Sequence, residues 1–166
     1  MVPSVPVTVS EIDKAHKNLQ PCSLEELYSS SKLCGDTFRT NFCVTRVDPE
    51  DAREFVKVFE KKTHKLSSAK GITTLPKGSE FVWIVQLLVK DASTLGNSNQ
   101  YRILNYSHEG LGAHFFGKPT NLWSDTNAVK RIEKACQNLQ KFNVWIDAIV
   151  ERKNGWLYIK DTKLRS

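Results

Sequence analysis

The sequence predicts a mainly β domain: a five-stranded barrel with one amphipathic helix between its third and fourth strands. Three observations carry that expectation. Short blocks of strand character recur over residues 38–47, 81–90, 101–106, 142–150 and 156–160. A single long helical pattern interrupts them after the third block, beginning at Ser124 or Asp125 and ending near Leu139. Asn154-Gly155 then supplies a strong two-residue hairpin signal between the last two blocks.

The first 35 residues are the least regular and read as an extension that packs on the barrel of residues 36–166. Residues 5–9 suit a short strand. Ser23 and Glu26 form a capping-box pattern for a short helix with Leu24 and Leu27 on one side. The first barrel strand follows, with Phe38, Phe42 and Val44 on one face and Arg39, Asn41 and Thr45 on the other. It stops at Asp48-Pro49-Glu50-Asp51, which reads as a helix start: a capping Asp48, Pro49 at the first helical position, and acids in the first turn. Ala52, Phe55, Val56 and Phe59 keep helical spacing, and Lys61 and Lys62 suit the C-terminal end. A helical insertion is therefore expected after strand one.

A loop without acids between Glu60 and Glu80 comes next, carrying Lys61, Lys62, Lys65, Lys70 and Lys77, with Gly71, Pro76 and Gly78 as breakers. Residues 81–90 are apolar on both faces and suit a central strand. A turn at 96–99 leads to the third strand. Gly110-Leu111-Gly112 reads as a bend before Phe115 and Phe116 rather than a phosphate cradle. The long helix has the stripe Ala128, Val129, Ile132, Ala135, Cys136 and Leu139, which makes Cys136 a small core residue.

The hairpin turn sets the register of the last two strands. Val150 faces Ile159, Glu151 faces Tyr158, Arg152 faces Leu157, and Lys153 faces Trp156. Alternation independently places Phe142, Val144, Ile146, Ala148 and Val150 on one face, with Leu157 and Ile159 beside them. The opposite face carries Trp145, Ile149, Glu151, Trp156, Tyr158 and Lys160. Strand, insertion, strand, strand, helix, strand, strand is the order of an OB-fold, a partly open Greek-key barrel.

The 166 residues suffice for one domain with its own core, and 40% hydrophobic against 25% charged residues excludes wholesale disorder. The run from Phe81 to Val89 is too short to span a bilayer, so no membrane partner is expected. Residues 1–10 have neither the charged start nor the apolar stretch of a signal peptide. Cys22, Cys34, Cys43 and Cys136 form no C-x-x-C pair, which speaks against a zinc ribbon and for reduced thiols. His16, His64, His108 and His114 show no metal spacing and read as surface or packing residues. Asn105-Tyr106-Ser107 is a chance match to a glycosylation acceptor. With no nucleophile, base or phosphate-loop motif, neither an enzyme activity nor a cofactor is expected.

Two surfaces remain as candidates. Lys+Arg 24 against Asp+Glu 18 gives +6, which favours anionic partners. The Lys-rich loop occupies the place where OB-folds often touch oligonucleotides, against the plainer reading of a mobile solvated loop. The outer hairpin face offers Trp145, Ile149, Trp156 and Tyr158 as anchors for a partner peptide. The same face with Lys160, joined to Lys61, Lys62, Lys65, Lys70 and Lys77, alternatively suits single-stranded nucleic acid. Burial beneath the N-terminal extension and symmetric self-association compete for that face.

The runs DTFRTNFCVTRVDPED from Asp36, FVWIVQLLVKDAST from Phe81, YRILNYSHEGLGAHFF from Tyr101 and FNVWIDAIVERKNGWLYIKDTKL from Phe142 closely resemble one family. It is that of the C-terminal OB domain of ciliate telomere end-binding alpha subunits, related to the protection-of-telomeres family. VSEIDKAHKNL and SLEEL extend the resemblance into the first 35 residues. The resemblance implies a nuclear protein at chromosome ends whose family caps single-stranded G-rich 3′ DNA. It also implies that this domain docks an extended segment of a beta-type subunit, while telomeric DNA is held by other OB-folds of the full-length protein or complex. The family's base-stacking residues have no counterpart to carry onto this chain.

Overall fold

A computed structural model describes residues 7–29, 36–96, 100–107 and 115–164. Cys34, His108, His114, the Gly110-Leu111-Gly112 bend and most of the 96–99 turn lie outside them.

The N-terminal extension supplies β1 (Val7–Thr8), β2 (Ser10–Glu11), β3 (Pro21–Cys22) and helix α1 (Leu24–Ser29). Half of the capping box forms: Ser23 Oγ accepts from the Glu26 amide at 3.2 Å, while the Glu26 carboxylate takes the Ser23 hydroxyl proton at 3.1 Å rather than the Ser23 amide. Leu24 and Leu27 are buried as their spacing requires. The Leu24 amide, an orphan donor of the helix start, donates to Asp91 Oδ2 at 2.8 Å and so pins α1 to the barrel.

Strand β4 (Thr37–Asp48) alternates as expected, with Phe38, Phe42 and Val44 buried. A bulge between Val44 and Arg46 shifts the phase, so Val47 is the next residue turned inward. The helix expected from Ala52 to Lys62 does not form. Asp51, not Asp48, caps one 3-10 turn over Ala52–Phe55, accepting from the Arg53 amide at 3.0 Å. The chain then extends as β5 (Val56–Glu60), which pairs with β6 (Lys65–Ser68). The reason is physical. Val56 and Val58 are β-branched and both are buried, a period of two that the helical spacing of Phe55, Val56 and Phe59 obscures. A neighbouring strand offers an open ladder, and tertiary pairing decides a segment that fits both patterns.

That neighbour is β7 (Ser79–Lys90), paired to β5 through Val56↔Trp83 and Val58↔Phe81. Its second half pairs with β8 (Tyr101–Tyr106). Helix α2 (Thr126–Leu139) follows, capped by Asp125, whose Oδ1 accepts from the Ala128 amide at 3.0 Å. Its buried residues are Ala128, Ile132, Cys136 and Leu139. The hairpin β9 (Val144–Lys153) and β10 (Trp156–Asp161) has the expected register, including Glu151↔Tyr158 and Val150↔Ile159. Asn154 and Gly155 both have positive φ (53° and 82°), as a two-residue turn between twisted strands needs. A last short strand, β11 (Lys163–Leu164), pairs back onto β2.

The barrel closes in the order β4-β9-β10-β8-β7 and back to β4, with β8 and β10 parallel. This is the OB arrangement, and α2 sits between its third and fourth strands. Phe42, Leu87, Ile103, Ile146, Val150 and Ile159 meet inside, all fully buried. Each such side chain stabilises the fold by roughly 1.5–3 kcal/mol. Asn105 faces the same interior and is buried, which removes its acceptor match from the surface.

Candidate docking and nucleic-acid surfaces

The four proposed hairpin anchors do not form one patch. On β9 the residues Trp145, Asp147, Ile149 and Glu151 point away from the core, but the N-terminal extension crosses the middle of that row. Ser10 Oγ donates to the Asp147 carbonyl at 3.1 Å and accepts from its amide at 2.9 Å, while Thr162 Oγ1 donates to the same carbonyl at 2.7 Å. Arg39 clamps the Asp147 carboxylate with two bonds of 2.9 and 2.8 Å. It also donates to the Lys17 and Leu19 carbonyls at 3.0 and 3.2 Å. Ser10, Ile12 and Thr162 are buried there, and so is Ile149. Ile149 is therefore a packing residue, not an exposed anchor. The expected competition from the extension is real for this half of the face. Trp145 and Trp156 are left on separate surfaces, about 26 Å apart along the strand direction, because Trp156 pairs with Lys153.

Trp145 belongs to a groove where two strands part. The β4–β9 ladder ends at Phe42↔Ile146. Beyond it, among the described residues, β4 pairs with β7 alone, through Cys43↔Lys90, and β9 takes β1 through Val7↔Val144 and Thr8↔Trp145. The gap is a groove of about 480 Å³, lined among others by Cys43, Thr45, Lys90, Leu95, Phe142 and Trp145. Leu95 is 68% exposed and Phe142 85% exposed, an unusual cost for large apolar side chains beside one groove. The Trp145 indole Nε1 is buried with no acceptor among the described residues. Burial raises the Cys43 thiol above its ordinary range, so it lines the groove as a neutral group.

Alternation with Val144 places Phe142 in the core, and the structure places it outside. Asn143 explains the difference: its φ of 61° turns the backbone just before β9 and breaks the phase. Leu95 gives a weaker signal in the sequence, a lone leucine in a polar stretch.

The second surface is the outer face of β7, β8 and β10. Pairing aligns Gln86, Leu104 and Tyr158 in one row. Arg102 donates to Gln86 Oε1 at 2.5 Å, and Gln86 Nε2 donates to the Tyr106 hydroxyl at 3.1 Å. Tyr106 meets Tyr158 edge to face at 5.8 Å between ring centroids. Burial, helped by Tyr106, raises the Tyr158 hydroxyl above its ordinary pKa. Trp156 stands 49% exposed beside them, and Lys160 reaches the Thr37 hydroxyl at 3.5 Å. Gln86, Arg102 and Tyr106 are members of this face that sequence reasoning misses. The signal for Arg102 and Tyr106 is the period of two on the third strand, and for Gln86 a lone polar residue in the apolar second strand.

The Lys-rich segment is an arm rather than a free loop. Its first half is the turn and the exposed strand β6 of the β5–β6 hairpin, which lies past the Tyr106 end of β8 because β7 carries both pairings. Its second half is docked: Ala69 is buried, and Asn121 Nδ2 donates to the Ile72 carbonyl at 2.8 Å. Lys70 lies 5.1 Å and Arg53 4.4 Å from the centre of the Trp123 ring, so Lys70 is already engaged. Lys61 lies 3.9 Å from Glu80. Lys62, Lys65 and Lys77 are exposed and have no acid partner among the described residues. His16, expected as a surface or packing residue, contacts Asp161 Oδ2 at 2.7 Å and ties the extension to β10.

No family profile matches the chain. Over 164 residues it is 46% identical to the telomere-binding protein subunit alpha of Stylonychia mytilus, covering 95% of this chain and 33% of that protein. The identity to the telomere-binding protein subunit alpha of Sterkiella nova is 47% over 164 residues, with 95% and 32% covered. The telomere-binding protein 51 kDa subunit of Euplotes crassus is 32% identical over 160 residues, with 95% and 34% covered. The chain thus spans about a third of the length of the curated relatives it matches. Among solved structures, a chain in the crystal structure of fission yeast Pot1 and Tpz1 superposes with a TM-score of 0.60 at 12% identity. It covers 97% of this chain and 99% of that one, a likeness of fold.

Proposed function

From the domain this chain shares with the ciliate telomere-binding alpha subunits, we propose that it docks an extended segment of a beta-type partner subunit. The complex so formed would cap single-stranded telomeric 3′ DNA in the nucleus. The observation that carries the docking role is the groove where β4 and β9 part. Among the described residues, the edge of β4 beyond Phe42 has no strand on its β9 side. An extended peptide entering there adds main-chain hydrogen bonds to an open edge, the mode known as strand addition. Leu95 and Phe142 close over the peptide's side chains, each gaining up to about 1.5–3 kcal/mol from burial.

The test is calorimetric titration of the chain with the partner's extended segment. Phe142→Ala and Leu95→Ala remove exposed side chains, so the fold persists. Each is expected to weaken binding by about tenfold or more. Undiminished affinity in both variants would place the partner elsewhere.

The outer face supports a second reading, direct contact with G-rich single-stranded DNA. Exposed Trp156 and the Tyr106–Tyr158 pair on one face, with the arm's lysines beyond the Tyr106 end of that face, are what favour it.

A further inference from the structure

We infer that the cleft between α2 and segment 115–122 is a second docking site, which takes an acidic peptide anchored by aliphatic side chains. The cleft measures about 450 Å³, within the range of ligand-binding sites. Its helix wall is the stripe Ala128, Arg131, Ile132 and Ala135, and the two alanines, seven residues apart, leave the hollow. Its floor is apolar: Trp83, Phe115 and Leu122 line it and are almost wholly buried.

The rim is positive. Lys118, Arg131 and Lys163 line it against a single acid, Asp125. Asp125 is already used as the α2 cap, accepting from the Ala128 amide at 3.0 Å. Lys163 has only a loose, exposed pair with Glu11 at 3.9 Å. Lys118 and Arg131 are exposed and have no acid partner among the described residues. Three cations around an apolar floor complement a segment that alternates aliphatic groups with carboxylates.

The aromatic geometry favours a peptide over nucleic acid. Stacking needs an open ring face, and Trp83 and Phe115 present none. Phe116 is half-buried, packed against Phe55, Trp83 and Phe115 at centroid distances of 5.8, 5.5 and 4.9 Å. The cleft shares no lining residue with the Trp145 groove, so it stands apart from the docking role proposed above.

The experiment is fluorescence anisotropy of the whole chain with a labelled peptide of alternating leucine and glutamate. A glutamate-only peptide and a leucine–lysine peptide serve as controls. The leucine–glutamate peptide is expected to bind at least about tenfold more tightly than either control. The double variant Lys118→Glu/Arg131→Glu, which changes only exposed side chains, is expected to lose that preference and to accept the leucine–lysine peptide instead. Phe142→Ala is expected to leave binding unchanged, which separates this site from the β4–β9 groove. Equal binding of the glutamate-only peptide, no binding at all, or an unaltered preference in the double variant would each overturn the proposal. Displacement of the peptide by an oligothymidylate would overturn it in favour of nucleic acid.

Discussion

Cys136 shows how burial sets the chemistry of a single residue. It lies on the inner stripe of α2, and desolvation, with a smaller contribution from Glu133, pushes its thiol from the ordinary 9.0 to about 12. The folded pKa is raised, so the unfolded chain releases this proton first as pH rises. The stabilisation is complete below pH 9 and is lost between pH 9 and about 12. The urea midpoint is expected to fall over that interval, and to fall less in Cys136→Ala. An identical alkaline profile in the variant would show that the thiol plays no part. The same burial keeps Cys136 protonated and closed to thiol reagents near neutral pH, as its place in the helical pattern suggests.

At the scale of elements, the β5–β6 arm decides what the lysines can do. A helix after β4 would have spread Lys61 and Lys62 around a cylinder. The hairpin instead carries Lys62 and Lys65 out beyond the Tyr106 end of the outer face. If that face holds single-stranded DNA, Lys62→Glu/Lys65→Glu should weaken binding of a G-rich oligonucleotide. The salt dependence should flatten too, its slope falling by about 0.7 for each phosphate no longer neutralised. Anisotropy titrations at low and physiological salt measure both. No binding at low salt, or an unchanged slope in the variant, would remove the DNA reading and leave peptide docking.

At the scale of the molecule, the extension is part of the barrel's outer wall. β1 pairs with β9, Leu24 and Leu27 are buried, and Ile12 is buried in the region where Ser10 and Thr162 bind Asp147 and Ile149 is enclosed. Burial of Ile12, Leu24 and Leu27 together is worth roughly 5–9 kcal/mol as an upper bound. That is comparable to the whole stability of an ordinary domain. A chain beginning at Asp36 is therefore expected to melt far lower in circular dichroism, or to aggregate through the uncovered Ile149. A truncated chain that melts with the full one would show that the extension is dispensable.

The last hairpin, the capped α2, the five barrel strands and the cores of their patterns were legible in the residues, because each rests on local chemistry. Asn154-Gly155 prescribes its turn, Asp125 prescribes a helix start, and a period of two or of 3.6 names the face to be buried. The candidate sites were legible only in part. Trp156, Tyr158 and Trp145 could be placed on an outward face because aromatic residues in an alternating strand are conspicuous. Their separation into two surfaces was not, since it depends on Ser10 and Thr162 meeting Asp147 from opposite ends of the chain. The strand at Val56 and the splitting of β4 from β9 belong to the same class. Local pattern determines which face a side chain takes. Long-range pairing decides what lies over that face, and no local spacing records it.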